Sequence, residues 1–241
     1  PGVSSAGGEF TSFSVRGGSP KDNTILVDNI PFDLIAHFEG GNEDQEVQGG
    51  RFSIFTPGVI DAASFQAGGF SARYGGRNSS VVDLRIKEGS FDDLTFNGTY
   101  DVLGWEFNYD GPSYIADNTS ILLSARHQDF RNILRWTGQK DLGDPSFTDI
   151  LFKSTTKFGN NHKLSIIGIF SPEDFDRNID HVYESENAFD TDLTRSSETK
   201  RVAGFNWRAL TGSSSYFTLT GYYKQKNWAA SLGKVLNEAV N

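Results

Sequence analysis

The sequence predicts a mainly β chain in two parts, a small α/β domain over 1–89 and a run of antiparallel strands of barrel type over 90–241. Three observations carry this. After Gly89 the apolar residues recur at every second position, in about seven separate runs. The connections between those runs alternate between short and long. Before Gly89, strands are interleaved with glycine turns and a short helical pattern, and the stretch from Phe65 to Gly89, with its pairs Gly68-Gly69 and Gly75-Gly76, separates the two architectures.

In the first part, residues 1–12 are small and polar and read as a linker or loop. Phe13 to Gly18 reads as a strand ending in a glycine turn, and Ser19 to Asn23 has turn chemistry. Thr24 to Asp28 is a continuous apolar strand, closed by Asn29-Ile30-Pro31-Phe32. Asp33 to Arg51 is polar and studded with glycine, which predicts an exposed loop carrying His37 and Phe38. Pro57 to Ala63 fits one or two helical turns, and Phe65 to Ala67 and Val81 to Ile86 supply further strands.

In the second part, Leu94, Phe96, Gly98 and Tyr100 alternate with Thr95, Asn97, Thr99 and Asp101. The same alternation runs through Trp105–Asp110, Ile121–Gln128, Phe147–Phe158, Lys163–Phe170, Val202–Arg208 and Tyr216–Lys224. One face is apolar and aromatic, and the other carries Thr, Asn, Glu, Arg and Lys, as in the hairpins of an up-and-down barrel. Connections are short at 111–118, 159–162 and 211–215 and long at 131–146 and 171–198, with Leu103-Gly104 a tight turn on the long side. A membrane barrel has this asymmetry of turns and loops. A soluble sandwich shares the alternation, so the pattern leaves both open.

Composition narrows the function classes. Without cysteine there are no disulfides, thiolate metal sites or cysteine nucleophiles. The net charge of −9, spread over both halves, argues against a nucleic-acid partner. No apolar run approaches the ~18 residues of a membrane helix, whereas a barrel strand needs only roughly 9–11. The first residue is Pro1 and there is no Met, so the sequence is expected to begin downstream of a translation start, as a processed, truncated or partial chain.

Several ordered motifs carry a resemblance. Ser14-Val15-Arg16-Gly17-Gly18, Ile25 to Pro31, and Gly69 to Asp83 resemble the plug domain of TonB-dependent outer-membrane receptors, in a variant common among Bacteroidota. Tyr109 to Pro112, Leu123 to Arg126, Phe147 to Asp149 and Asn161 to Ser165 resemble the first strands of that family's barrel. The resemblance covers roughly residues 13–171. It implies a plug (1–89) seated in a barrel of about 22 strands, of which 90–241 would be the first seven or so. It also implies an outer-membrane location in a Gram-negative bacterium, import energised through TonB, and a small-molecule, glycan or peptide ligand. No TonB box precedes Pro1, and seven strands cannot close a barrel, so a fragment is expected.

The resemblance also suggests site residues. Arg16 and Arg77 are expected at plug–barrel contacts, although Ala67-Gly68-Gly69 stands where many relatives have Arg-Gly-Pro. Phe32, His37, Phe38, Arg73 and Tyr74 are expected near the plug apex, where ligand would bind. The blander readings are a solvated His37 and arginines that only orient the glycine turns. Asp174, Asp176, Asn178 and Asp180 resemble a calcium loop, but Ile179 replaces the EF-hand glycine and Glu184 comes one position early. The alternative is a solvated acidic loop. His37 has no second His or Cys nearby, so no metal is expected there, and no cofactor is implied. No nucleophile elbow, carboxylate pair or zinc spacing points to an enzyme. Three functions remain: an importer, a non-transporting plugged scaffold bound to a surface lipoprotein, and a soluble β-sheet binding protein.

Overall fold

The computed structural model describes residues 3–5, 13–15, 23–38, 52–68, 80–183, 192–212 and 214–235. The first part holds β1 (Val3–Ser5) and β2 (Phe13–Val15), paired antiparallel, then β3 (Asn23–Val27) and β4 (Ile30–Phe32). After these come β5 (Ala36–His37) and β6 (Phe52–Ser53), a 3₁₀ turn at Pro57–Val59, β7 (Ile60–Gln66) and β8 (Ser80–Ile86). Four of these strands form one sheet in the order β4-β3-β8-β7, with β3 and β8 parallel and the other pairs antiparallel. β5 and β6 form a separate pair.

The second part is one meander of seven antiparallel strands in sequence order. They are β9 (Thr95–Tyr100), β10 (Gly104–Pro112), β11 (Thr119–Asp129), β12 (Asp144–Phe158), β13 (His162–Arg177), β14 (Asp192–Leu210) and β15 (Tyr216–Lys234). Helix α1 (Arg131–Trp136) lies between β11 and β12, and α2 (Ile179–Tyr183) follows β13. Among the described residues β9 and β15 are edge strands, so the sheet is an open barrel wall.

Several expectations are corrected. Val3–Ser5 is a strand and not linker, because it pairs with Phe13–Val15. The helical pattern at 57–63 yields only the 3₁₀ turn, because residues from Ile60 onward pair with β8 and must stay extended. The loops expected at 131–146 and 171–198 are shorter, since β12 starts at Asp144, β13 runs to Arg177 and β14 starts at Asp192. Acidic residues hid these strand ends. They continue the ladder because Glu173 points inward and finds His37, while Asp144 and Asp176 on the other face pair with Arg131 and Arg195.

The sheet's polarity is inverted relative to a soluble protein. Its inward face buries Ser120, Ser124, Asp149, Lys153, Thr155, Ser165, Ser171, Glu173, Glu198 and Lys200. Its outward face exposes Phe96, Trp105, Ile150, Phe152, Ile166, Phe170, Phe205, Trp207, Phe217, Leu219 and Tyr223. The inward face also contributes Leu122, Leu151, Ile167, Ile169 and Val202 to one core with Ile25, Val27, Ile30, Phe32, Ile54, Phe55, Val59, Leu84 and Ile86 of the first domain. The small domain therefore has no closed core of its own and completes it against the wall.

Two glycines set how closely the parts approach. A Cβ on Gly204 of β14 would lie 2.5 Å from Ile30 Cδ1, so the missing side chain makes room for the tip of β4. A Cβ on Gly89 would lie 2.3 Å from the backbone oxygen of Ile121, which cannot swing aside. Gly89→Ala should force the junction off β11 and destabilise the protein by about 1–3 kcal/mol. Thermal unfolding in detergent checks this, and an unchanged midpoint would refute the contact.

Candidate plug–wall interface

The interface is built in two tiers. The lower tier starts from a two-residue hairpin turn. Asp28 (φ 49°) and Asn29 (φ 67°) join β3 to β4 with both residues left-handed, the geometry of a type I′ turn. The turn puts two polar side chains at the tip of an apolar hairpin, and the wall answers both. Asn206 Nδ2 donates to the Asp28 carbonyl at 2.8 Å, and Asn206 Oδ1 accepts from Asn29 Nδ2 at 3.1 Å and from the Thr220 hydroxyl at 2.6 Å. Lys153 Nζ reaches Asp28 Oδ2 at 2.8 Å and donates to the Ile86 carbonyl at 2.6 Å. Burial, the largest influence, lifts the Asp28 carboxyl above its ordinary value, although Lys153 and the Ile86 amide pull it back down. Lys163 pairs with Glu88 at 2.5 Å beside them.

The upper tier is centred on His37, which is fully buried. Its Nε2 lies 2.8 Å from Asp149 Oδ1 of β12, and its Nδ1 lies 2.7 Å from Glu173 Oε2 of β13. Asp149 also accepts from Arg126 Nη2 at 2.5 Å and from the Ser171 hydroxyl at 2.8 Å. Arg126 donates onward to the Ser53 carbonyl at 2.6 Å. Glu173 accepts the Phe38 amide at 2.9 Å, and Lys200 donates to the Ala36 carbonyl at 3.0 Å. Lys200 also pairs with Glu198, which is 3.1 Å from Lys226. Aromatic rings close over this tier. Phe147 stacks on His37 at 4.1 Å between centroids, and Phe38 sits edge-on to Phe52, Phe147 and Phe175.

Burial, the largest single influence on His37, acts against its imidazolium. The hydrogen bonds and charges of Asp149 and Glu173 together outweigh it and raise His37 above its ordinary value.

The expected site residues fare unevenly. His37 and Phe32 are not exposed at a loop surface. Phe32 is buried in the core against Phe55, with ring centroids 6.2 Å apart, because β4 turns it inward. His37 is drawn under Phe147 by its two carboxylates. Phe38 is half-buried with φ 53°. Arg16, Arg73, Tyr74 and Arg77 lie outside the described residues. Asp174 and Asp176 lie on the end of β13, where Asp176 pairs with Arg195 at 3.1 Å, and Asn178 Oδ1 accepts the Asp180 amide at 3.0 Å. Among the described residues no three such side chains converge on a point that would hold a metal.

Sequence reasoning missed Asp28, Lys153, Asn206, Asp149 and Glu173. The usable signal was the polar residue at every second position of an otherwise apolar strand.

A cavity of about 630 Å³ opens beside the lower tier, lined in part by Asp28, Asn29, Arg85, Lys163, Arg208 and Thr218. It has contributions from both domains and lies towards the short turns of the sheet.

No protein-family model and no curated protein sequence matches the chain. Solved structures do. The outer-membrane transporter YddB of Escherichia coli is similar at TM-score 0.56 and 14% identity, over 90% of this chain and 33% of that one. The FrpB iron transporter of Neisseria meningitidis is similar at TM-score 0.59 and 18% identity, over 95% of this chain and 36% of that one. FpvA of Pseudomonas aeruginosa, solved with heterologous pyoverdines bound, is similar at TM-score 0.51 and 10% identity, over 100% of this chain and 41% of that one. At these identities the likeness is one of fold. The chain spans about a third of the length of the first two.

Removing one partner of the lower tier exposes its energetics. Lys153→Met leaves Asp28 buried without its cation and should cost about 3–5 kcal/mol near neutral pH. The Asp28 carboxyl titrates higher folded than its unfolded value of 3.8. The loss should therefore be smallest below that value, where mainly the Ile86 carbonyl is left without its donor, and grow as pH rises through the folded pKa. Adding Asp28→Asn should restore most of the stability. Unfolding curves across pH decide it, and a pH-independent loss would refute the pairing.

Proposed function

We propose that this chain forms the plug and one wall of an importer in the outer membrane of a Gram-negative bacterium. The observation that carries this reading is the inverted polarity of the seven-stranded sheet. Its aromatic and aliphatic face is outward, where lipid would cover it, and its charged face is buried against a small domain. A soluble sandwich would bury the opposite face, so the soluble alternative is disfavoured. The sheet's two open edges support further strands beyond β9 and β15, since unpaired backbone is costly in lipid. The transporter fold of the neighbours points the same way.

In this reading ligand binds on the long-loop side, near Phe38 and its aromatic neighbours. Binding shifts the plug towards a state that engages TonB, and the ligand passes the wall that the plug vacates. The chemistry is binding and passage. The ligand class is a small molecule, glycan or peptide, and the neighbours' iron transporter and pyoverdine complexes favour a small chelate.

These 241 residues contain no cysteine, which favours a cross-linking test in a full-length protein whose other cysteines, if any, are replaced. Asn29→Cys and Asn206→Cys, joined in the full-length protein by a short bis-methanethiosulfonate that forms a disulfide with each thiol and releases sulfinate, would pin the hairpin tip to β14. Cells that depend on the protein for a limiting nutrient should stop growing when the bridge is closed and recover on reduction. Undiminished growth with the bridge closed would show that the plug need not leave this wall. A surface-exposed protein that supports no uptake and co-purifies with a lipoprotein would favour the scaffold instead.

A further inference from the structure

His37 touches a carboxylate at each of its two ring nitrogens, at 2.8 and 2.7 Å, with no exposure to solvent. A neutral imidazole carries one N–H and one lone pair, so it can satisfy only one such acceptor. With the second carboxylate ionised, the docked arrangement needs the doubly protonated ring. The neighbourhood supports that assignment. Asp149 is already met by Arg126, and Glu173 by the Phe38 amide and by Lys200 at 3.6 Å. Both carboxylates therefore accept from other donors as well, and each faces His37 as an acceptor.

We propose that His37 is a proton-operated latch that fastens the apex of the first domain to the wall. This rests on the reading of that domain as a movable plug. Docking of β5 takes up one proton on His37 from the medium, and loss of that proton turns one hydrogen bond into a contact between a ring lone pair and a carboxylate. The groups facing His37 from the packed elements are Arg126 of β11, Asp149 of β12, Glu173 of β13 and Lys200 of β14. Glu198 and Lys226 lie behind Lys200. Among these, His37 is the group whose ordinary titration falls nearest neutral pH. Asp149, Glu173 and Glu198 lie towards the long-loop end of their strands, so the latch reads the pH on that side. One linked proton makes docking weaken by up to about tenfold per pH unit, between the free imidazole value of about 6.5 and the docked value.

Two readouts on the full-length protein in detergent test this. Exchange of the histidine C2 hydrogen, followed by mass spectrometry, gives the titration midpoint of His37. Backbone amide exchange over 34–38, corrected for intrinsic rates, gives the docking of the apex. The expected result is a His37 midpoint above about 6.5 and apex protection that falls as pH rises from about 6.5 through that midpoint. Glu173→Gln should move both to lower pH, and His37→Gln should make apex protection weak and independent of pH. If His37→Gln does not fold, the parallel shift in Glu173→Gln carries the test. A His37 that is neutral at pH 6, or apex protection that is flat across the range in the unmodified protein, overturns the latch. An importer with a flat apex overturns the latch alone, and a pH-dependent apex in a protein that imports nothing overturns only the functional reading.

Discussion

A sheet that turns charge inward can be stable only against a surface that answers each charge, and the buried contact of the first domain with Asp149, Lys153, Glu173 and Lys200 is that answer. Isolated, any of these side chains would carry a desolvation penalty of several kcal/mol. Here Asp28 meets Lys153, His37 meets two acids, and the carbonyls of Ala36, Ser53 and Ile86 take the remaining donors. The first domain depends on the wall in turn, since five wall residues complete its apolar core. Each part supplies what the other lacks.

The two tiers differ in kind. In the lower tier a rigid type I′ turn inserts Asp28 and Asn29 into the wall, and Gly204 leaves the space for Ile30 just behind them. Shape and hydrogen-bond geometry dominate there. In the upper tier a two-residue strand is fixed by charges, with His37 held between acids on adjacent strands. Such a contact has a large gross strength and a small net one, because desolvation opposes attraction. In the proposed importer that balance suits a part that must stay docked and yet be displaced, and the proposed proton on His37 is then a large fraction of what holds β5.

The period of two was legible in the sequence, and with it the strands and the order of their turns. The acidic run after Phe170 was not legible as strand, because Glu173, Asp174 and Asp176 look like a solvated loop when read alone. Glu173 is explained by His37 and the Phe38 amide, which stand 136 and 135 residues away in sequence. His37 was misread for the same reason, as a lone histidine in a polar loop has no local sign of a partner. Asp28 and Asn29 were recognisable as polar residues at the end of an apolar strand, while their partners Lys153 and Asn206 were indistinguishable from other inward polar positions.

The sequence by itself determined the alternation of faces and the meander of the second part, since each of these is set by neighbours within a few residues. Tertiary structure alone decided which face is buried, which polar residues pair, and that Phe32 and His37 lie inside. Those outcomes follow from contacts between residues far apart in sequence, such as His37 with Asp149 and Glu173. No local propensity encodes them, because the free energy of a buried charge depends on a partner that only the fold brings near.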